Sequence, residues 1–510
     1  MPSPRPAAKP APAPKPGAAA LPPIRTGPPT PRSLRGFRDL LPADQLAWRH
    51  VRKVADDLAT SYGFGWIDPP VLEDVALFSR AAGRHSDIVT KEMFSFTDSG
   101  GENVALRPEF TPGVVRAYIE HGLLNNPQPV RVAYWGPAFR RERPQHGRYR
   151  QFTQFGVEVI GSGAAVVDAQ LVAMFYHLCE QLGIAPVSIQ LNSLGCAACR
   201  AEYRTELVNY YKPKRRYLCE DCKKRLVKNP LRLLDCKNAN CQQHIAGAPQ
   251  LLDWVDDACK KHFMAVVEYL DGMEIPYVLN PYLVRGLDYY TRTVFEVWPT
   301  ADAAGSTAAL GGGGRYDDLL GLLGGNPTPA AGFAVGIDRL ILRVKEMNAT
   351  PAAPKAPDVF VAQIGEQAKI KALKLFELLR REGFAVSENF SKDSLKAQLE
   401  IANKQHARYA VIIGQKEVLD GTVLIRDMDG GVQEIIGYDK ISGDLERKLK
   451  NGAASPIIEE GAVAPVEGET PVTAPEAEAP QPKPSGKKQR SSSGSQLSLP
   501  DSDENLVEGI

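Results

Sequence analysis

The feature that most restricts the fold is a pair of alternating segments, VRVAYWGPAF at 130–139 and QFTQFGVEVI at 151–160, joined by eleven residues that carry five arginines. Apolar and polar residues alternating at period two predict strands. So short a connection predicts that the two strands pair antiparallel. In the second strand Phe152, Gln154, Gly156 and Glu158 share a face. Gln154 and Glu158 therefore project together, and Gly156 is expected to leave room between them for a small polar ligand. The loop carries Arg140, Arg141, Arg143, Arg148 and Arg150. Guanidinium groups this close repel one another unless an anion is bound, and they pair with phosphate oxygens in a bidentate way. A polyphosphate is the expected partner of the loop; a solvated hairpin tip is the blander alternative.

Four further segments suit ligand binding. LVRGLDYYTRTVFEV at 283–297 places Arg285, Asp288, Tyr289 and Tyr290 at a turn leading into a strand. GGGGRYD at 311–317 has four consecutive glycines that permit close backbone approach to a ligand. In AGFAVGIDRLILRV, at 331–344, FAVGI reads as a buried strand and Asp338 as the cap of a helix beginning at Arg339, an anion site in waiting. In LRPEFTP, at 106–112, Glu109 and Thr111 fall on one face if the segment is extended. Neither GxxxxGK[ST] nor GxGxxG occurs, so any bound nucleotide requires a different architecture.

At 510 residues the chain is too long for one ordinary domain. Residues 1–32 are Pro, Ala and basic residues, and 451–510 are rich in Pro, Glu, Ala and Ser; both are expected to be disordered tails. The first folded block is expected over 33–347, opening with a helix from Asp44 to Tyr62 whose stripe is Leu46, Val51, Val54, Ala55 and Leu58. A Pro/Ala-rich linker is expected at 348–357. In 358–450 strand, helix, strand, helix and strand alternate, with strands at 384–386 and 409–414. That order predicts a small α/β domain with a largely parallel sheet. A net charge of +1 does not announce a nucleic-acid binder, so RNA contacts must come from local patches. No apolar run approaches the ~20 residues of a membrane span, and no secretory apolar core opens the chain, so a cytoplasmic protein with no membrane contact is expected.

Seven of the eight cysteines fall between 196 and 259, inside a stretch at 194–273 that reads as mostly helical and inserted. Cys196-x2-Cys199-x19-Cys219-x2-Cys222 has four-thiolate zinc spacing, with Cys236, Cys241 and His244 as spare ligands. A structural Zn2+ on the first four is one reading; free buried thiols are the other.

Taken together, GPAFRRERPQHGRYRQFTQFGVEVIG resembles motif 2, and GFAVGIDRL motif 3, of the class II aminoacyl-tRNA synthetases. LVRGLDYYTRTVFEV, GGGGRYD and LRPEFTP resemble peptides of the bacterial-type histidyl-tRNA synthetase family, and the likeness runs from GFRDLLP at Gly36 to about residue 450. The resemblance implies an α+β catalytic domain built on an antiparallel sheet, a helical insertion at 194–273, and a C-terminal α/β anticodon-binding domain. It implies ATP-dependent ligation of L-histidine to tRNA-His through a histidyl-adenylate, with Mg2+ accompanying ATP, in a homodimer. It further implies that Arg140 holds the α-phosphate and Arg339 the γ-phosphate, that Glu142 approaches the adenine, and that Arg285 lies by the histidine carboxylate and α-phosphate. Glu109, Thr111 and Gln154 would take the α-ammonium, with Phe110 in the same histidine-binding segment; Glu158 and Tyr290 would face the imidazole, with Tyr289 nearby. Lys392, Lys396, Lys404 and Lys416 would meet the anticodon stem. The same catalytic domain also resembles a paralogue that regulates ATP phosphoribosyltransferase, but that protein lacks the C-terminal block. A nutrient-sensing kinase module would carry kinase motifs, which this chain lacks.

Overall fold

The computed structural model describes residues 31–83, 86–300, 309–351 and 355–452. Most of the two expected tails, residues 1–30 and 453–510, therefore lies outside the described residues. The chain divides into two compact units between Pro354 and Lys355, within the expected linker.

The first unit is organised by one eight-stranded sheet in the order Gly65–Trp66, Val130–Phe139, Gln151–Ile160, Ala330–Gly336, Gly311–Arg315, Thr291–Pro299, Val187–Ser193 and Val278–Leu279. Its central strands are antiparallel; only the two short edge strands pair parallel. The hairpin forms over the two alternating segments, with Tyr134 opposite Gly156 and Trp135 opposite Phe155. One face of the sheet is covered by the helices Gln45–Ser61, Ala165–Gln181, Asp257–Gly272 and Ile337–Glu346, around a core that includes Phe155, Phe175, Phe295 and Phe333. The opening helix follows the expected stripe with one shift: Ala47 and Trp48 are buried, while Leu46 is half-buried. The other face carries the cavity described below.

The glycine run is a sheet strand rather than a loop. Gly311–Arg315 lies between two neighbours so close that a Cβ on Gly312 would meet the Phe295 carbonyl, and one on Gly313 the Gly332 carbonyl. The register shifts at Gly314, whose φ of +149° suits glycine alone. Two other expectations are corrected. LRPEFTP is not extended through Thr111, because the helix Thr111–Glu120 begins there with Pro112 in its first turn. Asp338 is not a helix cap: Gly336 holds that position, and the Asp338 carboxylate instead accepts the Thr153 N–H at 2.9 Å and an Arg38 N–H at 2.6 Å, tying helix to hairpin.

The insertion is helical, over Ala197–Tyr211, Glu220–Lys228, Ala239–Gln242 and Asp257–Gly272 with short 3-10 turns between. The second unit is a five-stranded sheet in the order Val386–Glu388, Val359–Gln363, Tyr409–Ile413, Thr422–Asp427 and Gln433–Gly437. The first three strands are parallel, but the last two add antiparallel, so the sheet is mixed rather than largely parallel. The short helix Gln415–Asp420 connects Tyr409–Ile413 to Thr422–Asp427, and Gly421 ends it with φ +69°, turning the chain back into the antiparallel strand. The short strand at Val386–Glu388 starts two residues later than the expected 384.

Candidate active site

Side chains from several distant segments converge on one cavity on the open face of the larger sheet. The hairpin contributes Tyr134, Arg140, Gln154 and Glu158. The segment before the helix at 111 contributes Glu109 and Thr111. The loop before Thr291 contributes Arg285, Tyr289 and Tyr290, and the motif at 337 contributes Arg339. Phe110 does not line the cavity; its ring stacks on Tyr134 at 4.4 Å and supports the wall from behind.

Glu158 is buried at the floor. Its carboxyl accepts hydrogen bonds from Thr111 at 2.7 Å, from Tyr134 at 3.3 Å, and from Tyr316. Burial pushes its pKa up to about 8; the three hydroxyls pull the other way, and nearby Glu109 adds to the rise. The expected role of Gly156 changes accordingly. A Cβ there would strike the Tyr134 hydroxyl, so the glycine makes room for that tyrosine rather than for a ligand.

Glu109 accepts from the Tyr289 hydroxyl at 2.8 Å through one oxygen, while its other oxygen is buried without a partner. Burial raises its pKa, opposed by Arg140 and the tyrosine. The side-chain oxygen of Gln154 is likewise buried and unpartnered. Two buried acceptors at one cavity suit a donor-rich cation.

Four cations surround the rest of the space. Arg285 donates to Glu296 at 2.6 Å and packs over the Tyr290 ring at 5.4 Å, leaving its Nε without a partner. Burial works against its charge, but Tyr290 and Glu296 outweigh this and hold the guanidinium's pKa above its usual value. Arg140 is fixed by the Pro108 carbonyl at 2.9 Å and packs on Phe152. Arg148 pairs with Glu142 at 2.8 Å. Arg339 donates to the Ala309 carbonyl at 2.7 Å. Of the five loop arginines, Arg140 and Arg148 line the cavity; Arg141, Arg143 and Arg150 do not.

Sequence reasoning missed Tyr134, Tyr316 and Glu296. The signal for Tyr134 was the hairpin itself, since antiparallel pairing of 139 with 151 sets Tyr134 opposite Gly156. Tyr316 follows the glycine run and offered no periodicity to read. Glu296 alternates with the buried Phe295 and Val297, a pattern that carries no signal for a site residue.

The thiols do not meet as the spacing suggested. Cys196 and Cys199 gather with Asp256 and Cys259, while Cys219 and Cys222 gather with Cys236 and Cys241. The quartet Cys196, Cys199, Cys219, Cys222 is therefore divided, because the helix Ala197–Tyr211 carries the chain away from the first pair before the second is reached. His244 joins neither cluster.

The chain is similar to known proteins throughout this region. The family model described as Histidyl-tRNA synthetase matches residues 36–340, and that described as Anticodon binding domain matches 358–448. A histidine–tRNA ligase of Dehalococcoides mccartyi is 44% identical over 418 residues, covering 82% of this chain and all of the relative. One from Desulforudis audaxviator is 45% identical, covering 82% of this chain and 98% of the relative. The crystal structure of the apo histidyl-tRNA synthetase of S. aureus superposes with a TM-score of 0.68 at 35% identity, over 82% of this chain and all of that one.

Proposed function

The chain belongs to the histidyl-tRNA synthetase family, and from that membership we propose a role for each side chain that meets in the cavity. The reaction is the ligation of L-histidine to tRNA-His, with ATP as substrate and AMP and diphosphate as products. One observation carries the assignment of roles: buried, unpartnered acceptors on Glu109 and Gln154 stand in the same cavity as Arg140, Arg285 and Arg339. An amino acid needs the first set for its ammonium, and a polyphosphate needs the second.

Glu109 and Gln154 take the α-ammonium, with Thr111 and Phe110 holding the wall beside them. Arg285 draws the histidine carboxylate and the α-phosphate together, and Arg140 neutralises the charge that grows on the α-phosphate oxygens as the carboxylate attacks. Arg339 holds the γ-phosphate, and Glu142 faces the adenine. The attacking carboxylate is already ionised, so no general base is needed for activation; fixed cations, oriented before the reaction, supply the main stabilisation. Glu158 accepts the imidazole N–H, with Tyr290 and Tyr289 closing the pocket, and most other amino acids offer no donor there. Glu142 and Glu296 line the cavity and would offer carboxylate oxygens to the Mg2+ that accompanies ATP, a cation that would add positive charge beside the phosphates.

In the second unit the exposed Lys392, Lys396, Lys404 and Lys416 meet phosphates of the anticodon stem. The working form is a homodimer in the cytoplasm, testable by sedimentation and by fractionation. Among the described residues no helix is long and apolar enough to cross a membrane.

The deciding experiment is amino-acid-dependent ATP–pyrophosphate exchange with each of the twenty amino acids, followed by charging of tRNA-His. Histidine alone should support exchange. Tight histidine binding by well-folded protein without exchange would instead favour a regulatory role.

A further inference from the structure

We propose that the insertion is held together by two structural zinc ions. The inner site is formed by Cys219, Cys222, Cys236 and Cys241; the outer site by Cys196, Cys199, Cys259 and Asp256.

In each set the potential ligand atoms all lie within 4.8 Å of one another. For the inner set the spacing is that of a metal cage: the Cys219 and Cys236 sulfurs are 3.8 Å apart. A tetrahedral zinc with Zn–S bonds of about 2.3 Å has sulfurs roughly 3.8 Å apart along each edge. A disulfide would need about 2.05 Å, and every cysteine in the chain is free. Backbone N–H groups point at these sulfurs, from Cys219 to Cys241 at 3.3 Å and from Asn238 to Cys236 at 3.5 Å. Such donors stabilise thiolates bound to a cation. Cysteines serving only as small apolar residues have no reason to converge four at a time on one point.

The outer set repeats the pattern with an oxygen ligand. Cys196 and Cys199 are 3.5 Å apart, and both face the Asp256 carboxylate, at 3.2 and 3.3 Å. The other oxygen of Asp256 accepts the Cys259 N–H at 2.7 Å. Cys196 and Asp256 each precede the first turn of a helix, Ala197–Tyr211 and Asp257–Gly272. This site joins the first and last helices of the insertion at their starts, closing its base. The inner site ties the helix Glu220–Lys228 to the one-turn helix Ala239–Gln242, elements too short to bury much apolar surface of their own.

The zinc ions touch no substrate, yet they hold residues that do position the cavity. Between the two halves of the inner site, Asn229 donates to Asp288 at 2.6 Å and Arg232 to the Arg285 carbonyl at 3.3 Å. Beside the outer site, Arg200 donates to the Tyr290 carbonyl at 2.7 Å. The metals thus act through the insertion on the loop that carries Arg285 and Tyr290.

The test is metal analysis of the full chain purified without chelator, with Co2+ exchange as a spectroscopic readout of the ligands. About two zinc ions per chain are expected. Cys222→Ser and Cys259→Ser should each remove about one, and only the first should abolish the cobalt spectrum of a four-thiolate tetrahedral site. Should either variant fail to fold, titration of Co2+ into metal-stripped wild type decides, with saturation near two equivalents and tetrahedral thiolate bands. Fewer than two zinc ions, bands of octahedral cobalt, or a metal content unchanged in both variants would overturn the proposal.

Discussion

At the scale of single residues, Glu158 concentrates the argument. It is buried, it takes three hydroxyl hydrogen bonds, and it is assigned the imidazole. Glu158→Gln keeps the shape but removes the charge that Glu158 carries once the imidazole is bound, and a charge-assisted hydrogen bond is worth about twice a neutral one. A loss of about 1.5–3 kcal/mol should lower kcat/KM for histidine roughly ten- to hundredfold and leave the KM for ATP unchanged. A variant that melts earlier but keeps the wild-type histidine KM would reduce Glu158 to a sheet residue. The same group sets a pH dependence. Its pKa rises from 4.5 to about 8 on folding, so its contribution to stability is complete below 4.5 and is lost as pH climbs towards 8. Unliganded wild type should therefore lose stability across that window relative to Glu158→Gln. Paired melting curves from pH 5 to 8 should show the gap widening with pH; parallel curves would mean that Glu158 is already ionised in the free protein.

At the scale of elements, the strand Gly311–Arg315 shows how backbone packing serves the site. A Cβ on Gly312 would lie 2.7 Å from an Arg285 guanidinium nitrogen and would also meet the Phe295 carbonyl. Gly312→Ala must push the strand off its neighbour or push Arg285 off Glu296. Overpacking of this kind costs about 1–3 kcal/mol. The prediction is a modest fall in Tm together with a larger fall in kcat for exchange, since the proposed role of Arg285 is to bring positive charge to the transition state. Unchanged kcat alongside the lower Tm would show that Arg285 tolerates displacement. The four glycines were legible as a place of close approach, but what approaches is the neighbouring strand as much as any ligand.

At the scale of the whole molecule, the division between Pro354 and Lys355 separates the cavity from the unit matched as an anticodon-binding domain. A chain ending at residue 354 is expected to fold and to catalyse histidine-dependent exchange at close to the full rate, because all the side chains assigned to activation precede that point. Its kcat/KM for tRNA-His should fall about a hundredfold, equivalent to roughly 3 kcal/mol of lost contacts. Loss of exchange by a folded fragment would show that the first unit depends on the second.

Local pattern alone determined the hairpin, because period-two alternation over ten residues has few alternatives, and the apolar run FAVGI was legible as a buried strand without any alternation. It also determined that Gln154 and Glu158 face the same way, since parity along a strand needs no partner. Tertiary structure decided what those residues meet. Tyr134 fills the room at Gly156, and Tyr316 reaches Glu158 from 158 positions away, a contact that only the strand order of the sheet creates. The cysteines show the same limit. Spacing grouped Cys196 and Cys199 with Cys219 and Cys222, whereas folding gathers the first pair with Asp256 and Cys259 and the second with Cys236 and Cys241. Sequence distance bounds which ligands can meet, but the packing of helices chooses among them.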